Sequence, residues 1–391
     1  MQDSPVAAMP EETTLLQRAA QIAGISDFGA EEEYLPGMRQ MLDSIGRDMH
    51  PNAIGVEVLT GQITQLLVNR AWSIETLRRH PEISDIPITR PIIITGFQRS
   101  GTTLLHRMLG AAPQNRGLAL WELMAPVDPP GSDTEQVRAR MVAPAERFLQ
   151  RLTKMVPDFG SLIHPVGTHL LEEEEWLMRS TFKTPTLAAF NYLPGYLAWL
   201  EQQDMMPSYR HLRSQFQLLL WRIPGNHLIL KAPMHLFALN ALAAVFPDAL
   251  VVHLFRDMRE MVASSCSIMQ ALHSVTCRQP DHLAGEYAIH WMQTLTNRAL
   301  DFHQKPHQMD LMEIQYIDLV RDPLAMARKI YERAGRTLDQ ASEDAMRGWL
   351  TANPSHKKHR YTLEQYNLDP QTVDRAFQRY TEKFGGARSE R

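Results

Sequence analysis

Cysteine is nearly absent from this chain, which carries only Cys266 and Cys277. Two thiols cannot build a disulfide framework, and no C-x-x-C is present to hold zinc or run redox chemistry. An excess of one charge is missing as well: the formal net charge of −4 argues against a general nucleic-acid binder. No uninterrupted apolar run approaches the ~20 residues that span a bilayer. The stretch from Met1 to Glu12 has neither the basic region nor the apolar stretch of a secretory leader. Repeats and low-complexity tracts are also lacking. These absences lead to the expectation of a cytoplasmic protein with no nucleic-acid partner and no integral membrane association. What remains is a chain of 391 residues, 44% hydrophobic and 21% charged, an ordinary globular composition with enough length for a large core.

The strongest local signal lies between Pro91 and Leu105. Ile92, Ile93 and Ile94 read as a buried strand. The run breaks at Gly96, passes Arg99 and Gly101, and restarts from Thr102 with apolar positions at helical spacing. A strand, a glycine-pinned loop and a helix N-terminus make an anion cradle, because loop N–H groups converge where the helix dipole favours negative charge. The spacing of Gly96 and Gly101 is that of a Walker A loop, but Thr102 stands where an NTPase has its lysine. The basic residue lies inside the loop instead, at Arg99.

Elsewhere, residues 12 to 80 carry apolar side chains at helical intervals, and Pro81, Pro87 and Pro91 make an extended approach to the first strand. Residues 132 to 222 read as mainly helical. Further strands are expected at 226–231, 248–256 and 311–316, each followed by a helical pattern, the one from Asp257 opening with a capping-box spacing to Glu260. Strands alternating with helices predict an α/β fold, a P-loop-type parallel sheet flanked by helices, with large helical additions.

Three blocks together give a resemblance. The loop from Gly96 to Thr103, the lysine-bearing strand end from Leu230 to Phe237, and the stretch from Val251 through Arg256 to Ser264 resemble sulfotransferases that use 3′-phosphoadenosine 5′-phosphosulfate (PAPS). The likeness is nearest to the bacterial sulfotransferase-family proteins and more distant to the tyrosylprotein sulfotransferases. The stretches 316–323 and 357–361 fit the bacterial group as well. Cytosolic sulfotransferases have a lysine in place of Arg99, and the arginine form occurs in the two branches named. The resemblance runs from about residue 85 to the C-terminus, which divides the chain into a helical N-terminal region, 1–84, packed on the core and a sulfotransferase domain, 85–391, with a helical acceptor-side insertion at 132–222.

The resemblance implies PAPS as co-substrate, a hydroxyl acceptor and no metal. It implies that Arg99, Ser100, Gly101, Thr102 and Thr103 hold the 5′-phosphosulfate and that Arg256 and Ser264 hold the 3′-phosphate. A planar guanidinium suits two oxygens of a phosphosulfate. For Arg256 the competing reading is an ion pair with Asp257 or another acid. Lys231, at a strand end, is placed to meet the sulfonate, with a lysine reaching for solvent as the plain alternative. Glu122, in an apolar setting that would raise its pKa, is the expected general base by analogy with the tyrosylprotein branch, and His169 is its competitor. The run Glu172 to Glu175 reads as a solvated helix face. Arg360, in the basic cluster 356–360, reads as a lid contact to the nucleotide. Aromatic and Met residues between Trp176 and Met206 suggest a small apolar acceptor, although such residues are also ordinary core. Two other functions stay open: a nucleotide kinase or NTPase with a degenerate Walker loop, and a non-catalytic sulfonucleotide-binding protein.

Overall fold

A computed structural model describes residues 8–129, 135–157, 159–160, 165–277, 281–354 and 361–385. Five strands form the sheet: β1 (Ile92–Thr95), β2 (Asn115–Arg116), β3 (His227–Lys231), β4 (Leu250–Phe255) and β5 (Asp310–Gln315). Their order is β2-β3-β1-β4-β5 and every pairing is parallel. The expected α/β architecture is therefore present. β2 was not anticipated, because two residues at a sheet edge carry no period that a sequence window can register.

Register sets the site. Ile94 lies beside Lys231 on one side and Val252 on the other, so the loop after β1, the end of β3 and the end of β4 open on one edge. Ligands of open parallel sheets bind there, where the connections from the central strand diverge. The β1 side chains alternate between two cores. Ile93 packs with Leu230, Val251 and the helices Glu12–Ala23, Glu31–Ser44 and Ala53–Arg79. Ile92 and Ile94 pack with Ile229, Val252, Leu254 and the helices Pro323–Arg333 and Gln340–Ala352. A strand buried on both faces has no need of polar alternation, which is why its sequence reads as continuous isoleucine.

Helix starts follow local chemistry. The Asn52 side chain accepts the Gly55 N–H at 2.8 Å at the head of Ala53–Arg79. Asp257 accepts the Arg259 N–H at 2.8 Å at the head of Met258–Thr276. Asp257 thus caps the helix at Arg259 rather than at Glu260 as the expected capping box would, and Glu260 forms an ion pair with Arg256.

Candidate active site

The loop between β1 and the helix Thr102–Gly110 is built on backbone that side chains resist. Gly96 has φ 137° and Gly101 φ 92°. A Cβ on Gly96 would collide with the carbonyl oxygen of Leu254 in β4, so the loop passes β4 in van der Waals contact. Arg99, which does have a Cβ, also sits at a positive φ of 71°. Such a conformation costs roughly 1–3 kcal/mol and persists only where its surroundings hold it. The hold is visible: Arg256 donates from a guanidinium nitrogen to the Arg99 carbonyl at 3.1 Å.

Donors converge at this loop. The helix Thr102–Gly110 has no side-chain cap at its N-terminus, which leaves first-turn N–H groups for a ligand. Thr102 is buried and Thr103 half-buried. Ser100 differs from the expectation in its side chain: its hydroxyl donates to the Phe97 carbonyl at 2.6 Å and braces the loop from within. Arg99 is half-buried and has no ion-pair partner among the described residues.

Arg256 is half-buried and crowded. Its guanidinium lies 4.1 Å from the centre of the Tyr316 ring and pairs with Glu260. The competing reading of Arg256 as part of an ion pair thus describes a real contact, with Glu260 as the acid. Ser264 lies buried in Met258–Thr276, and its neighbour Ser265 reaches the loop, donating to the Gln98 side chain at 3.0 Å. Arg360 lies outside the described residues.

Lys231 is 1% exposed, so it is no snorkelling lysine. Its Nζ donates to Glu173 Oε1 at 2.5 Å, and its backbone N–H donates to Glu174 Oε2 at 2.7 Å. These contacts overturn the reading of Glu172 to Glu175 as a solvated face. Glu172 accepts from Arg107 of the loop helix at 2.8 Å, Glu174 accepts from His235 at 2.7 Å, and Glu175 pairs with Arg179. Glu174 and Glu175 are fully enclosed, and only Glu173 keeps substantial exposure, 20% of its side chain. Burial alone would raise the Glu174 carboxyl, but the His235 hydrogen bond and charge outweigh it and leave the pKa below the usual value. Glu175 goes the other way, raised by burial. Nothing in the local sequence announces this network except Arg179, four residues from Glu175; the other partners lie far along the chain.

Glu122 is buried, as expected, but engaged. Its carboxylate pairs with Arg116 of β2, with one contact at 3.1 Å, and accepts the Ala119 N–H at 3.0 Å, which caps its own short helix. Both oxygens are occupied by structural partners, which a free proton acceptor would not show. His169 is exposed on a loop. Loop helix His106, beside β3, is buried with its pKa pushed down to about 4, mainly by desolvation and further by Lys231. Among the described residues, no group of three or more His, Cys, Asp or Glu could hold a metal ion.

The edge thus joins a glycine-built loop with an uncapped helix N-terminus, an arginine with no ion-pair partner among the described residues and a buried lysine–glutamate pair, suited to binding an anion and moving a proton beside it. Comparison with known proteins agrees with that chemistry. Residues 91–340 match the model of the sulfotransferase family. The omega-hydroxy-beta-dihydromenaquinone-9 sulfotransferase Stf3 of Mycobacterium bovis and that of Mycobacterium tuberculosis are 26% identical to the chain over 298 residues, 70% of this chain and 70% of theirs. The crystal structure of sulfotransferase STF1 from Mycobacterium tuberculosis superposes with a TM-score of 0.79 at 28% identity, covering 94% of this chain and 98% of that one. Sulfotransferase STF9 from Mycobacterium avium shares the fold across the full length of both chains, with a TM-score of 0.85 at 24% identity.

Proposed function

The chain belongs to the sulfotransferase family, and from that premise we propose that it transfers the sulfuryl group of PAPS to the hydroxyl of a small apolar acceptor. The observation that carries the donor half is the loop from Gly96 to Thr103. Its glycines let the backbone turn at positive φ and pass close against β4, its helix N-terminus is uncapped, and Arg99 has no ion-pair partner among the described residues. PAPS supplies an activated sulfur whose leaving group is a phosphate. The Arg99 guanidinium and the first-turn N–H groups of Thr102 and Thr103 hold the 5′-phosphosulfate, Ser100 keeps the loop in shape, and Arg256 and Ser264 face the 3′-phosphate.

Sulfuryl transfer resembles phosphoryl transfer, in which positioning and fixed positive charge do most of the work. Lys231 and Glu173 divide the remaining tasks. The Lys231 ammonium offsets charge that grows on the leaving phosphate oxygen. The Glu173 carboxylate, the most exposed of its run, takes the proton of the acceptor hydroxyl as the oxygen bonds to sulfur and the sulfur–phosphate oxygen bond breaks. Glu173 fills the role that the resemblance implied for Glu122, whose oxygens Arg116 and Ala119 occupy. For the acceptor, the curated relatives act on an omega-hydroxylated dihydromenaquinone, a hydroxyl on a long apolar body. Half-buried Trp176, Phe190 and Tyr192, close in sequence to Glu173, agree with an apolar acceptor.

Two measurements test the reading. Adenosine 3′,5′-bisphosphate raises the melting temperature and ATP with Mg²⁺ does so far less, since a ligand that binds only the folded state stabilises it by mass action. Radiolabelled PAPS then labels farnesol or 2-naphthol in preference to glucose. Equal stabilisation by ATP would favour a nucleotide kinase, and nucleotide binding with no labelled product would favour a non-catalytic sulfonucleotide-binding protein.

A further inference from the structure

Behind Lys231 lies a chain of buried polar groups that the transfer itself does not use. Tyr209, on the helix Met206–Arg222, has its hydroxyl 2.9 Å from His235 Nδ1. His235 Nε2 is 2.7 Å from Glu174 Oε1. The other Glu174 oxygen accepts the Lys231 backbone N–H at 2.7 Å, and the preceding residue, Glu173, holds the Lys231 ammonium at 2.5 Å. Tyr209, His235 and Glu174 are each 0% exposed.

The direction of the hydrogen bond at Glu174 is fixed by chemistry. An ionised carboxylate only accepts, so His235 carries its proton on Nε2 and donates it to Glu174. The Tyr209 hydroxyl, which both donates and accepts, satisfies Nδ1 on the far side of the ring. Each oxygen of Glu174 therefore has one assigned partner, His235 on one side and β3 on the other. A buried carboxylate is costly unless paired in this way, and plain packing would be met by an apolar residue. Its neighbour along the backbone is the one carboxylate of the run left accessible.

We propose that the Tyr209–His235–Glu174 relay is a positioning device that fixes Glu173 and Lys231 against one another for sulfuryl transfer. The inference rests on the catalytic reading of Glu173 and Lys231 given above. All three members are positioning residues, since they act through Glu173 and Lys231 and touch neither substrate. A shift of Glu174 moves both members of the pair at once, because it is bonded to the main chain of one and adjoins the other.

The test is a double-mutant cycle on the full chain, measuring release of adenosine 3′,5′-bisphosphate from PAPS with farnesol as acceptor and, in its absence, with water. Glu174→Gln keeps the shape, and an amide is accommodated if the His235 tautomer reverses, but the charge is gone. Tyr209→Phe removes only a hydroxyl at the far end of the relay and keeps the question open to measurement should Glu174→Gln fold poorly. The expected result is a fall in kcat of roughly 10–100-fold for Glu174→Gln and about tenfold for Tyr209→Phe, with KM for PAPS and bisphosphate affinity near wild type, and no further loss when the two are combined. Merely structural roles would give independent, additive effects and would move stability without moving kcat below the melting temperature. Unchanged kcat in a folded Tyr209→Phe variant, or additive losses, overturns the relay. Glu173→Gln separates the two levels: if it loses turnover while the relay variants keep theirs, only the relay falls, and if it keeps turnover, the catalytic reading and the relay fall together.

Discussion

Replacing one carboxylate oxygen by an amide separates two glutamates that residue type alone does not distinguish. Glu173→Gln retains shape but removes the proton acceptor beside Lys231, so turnover falls by roughly 10²–10⁴-fold, the usual contribution of a general base, while bisphosphate affinity holds. Glu122→Gln leaves one oxygen to serve both Arg116 and the Ala119 N–H. It lowers stability by about 1–3 kcal/mol with little change in turnover below the melting temperature. Thermal melts and turnover on both variants decide the matter, and the opposite pattern would return Glu122 to the role the sequence suggested. The contrast also shows what a sequence can carry at this scale. The turn through Gly96, Arg99 and Gly101 was legible because a strand–loop–helix junction is a local device, written in consecutive residues. The work of Glu172 to Glu175 was not, because a charge is solvated or buried according to partners that arrive from elsewhere, here Arg107, Lys231 and His235.

Among elements, the loop after β1 is the one most dependent on its neighbours. It is shaped by β4 on one side, where Leu254 lies in contact with Gly96, and braced by Arg256, which reaches from the end of β4 to the Arg99 carbonyl and stacks on Tyr316 after β5. Gly96→Ala places a methyl group on the Leu254 carbonyl at a backbone angle that alanine resists. The loop must shift, and strain of roughly 1–3 kcal/mol lowers bisphosphate affinity by about 10–100-fold. Isothermal titration reads this directly, and wild-type affinity in the alanine variant would mean that the loop does not form the nucleotide site. β1, β3 and β4 were legible because buried parallel strands are mostly apolar and alternate with helices, and the half-exposed edge strand β5 because a helical pattern follows its Leu311, Met312 and Ile314. β2 was not, since pairing with His227 and Leu228 depends on how the chain returns to the sheet edge.

For the molecule as a whole, buried histidine is the feature most sensitive to solution conditions. Desolvation pushes His106 and His273 down to about 4 and His211 and His253 down to about 3. In the unfolded chain these rings take up protons near pH 6.5, so the unfolded state binds more protons than the folded one between about 6.5 and 3–4. Stability is therefore fullest above 6.5 and declines as pH falls through that window, with the raised carboxyl of Glu175 offsetting part of the loss. Melting temperatures measured from pH 8 to pH 4.5 should fall continuously from about 6.5 downward; a flat profile to pH 5 would show that these rings are reached by water. The sheet order has a consequence for how the molecule is made. β1 is paired on both sides, but Ile92 meets Ile229 and Leu250, neither of which exists when the isoleucine run leaves the ribosome. At ordinary elongation rates the run waits on the order of ten seconds for its first partner. During that interval it is an unpaired, fully apolar segment on a growing chain, a target for trigger-type chaperones, and slowing translation between β1 and β3 would raise the aggregated fraction without changing a single contact of the finished fold.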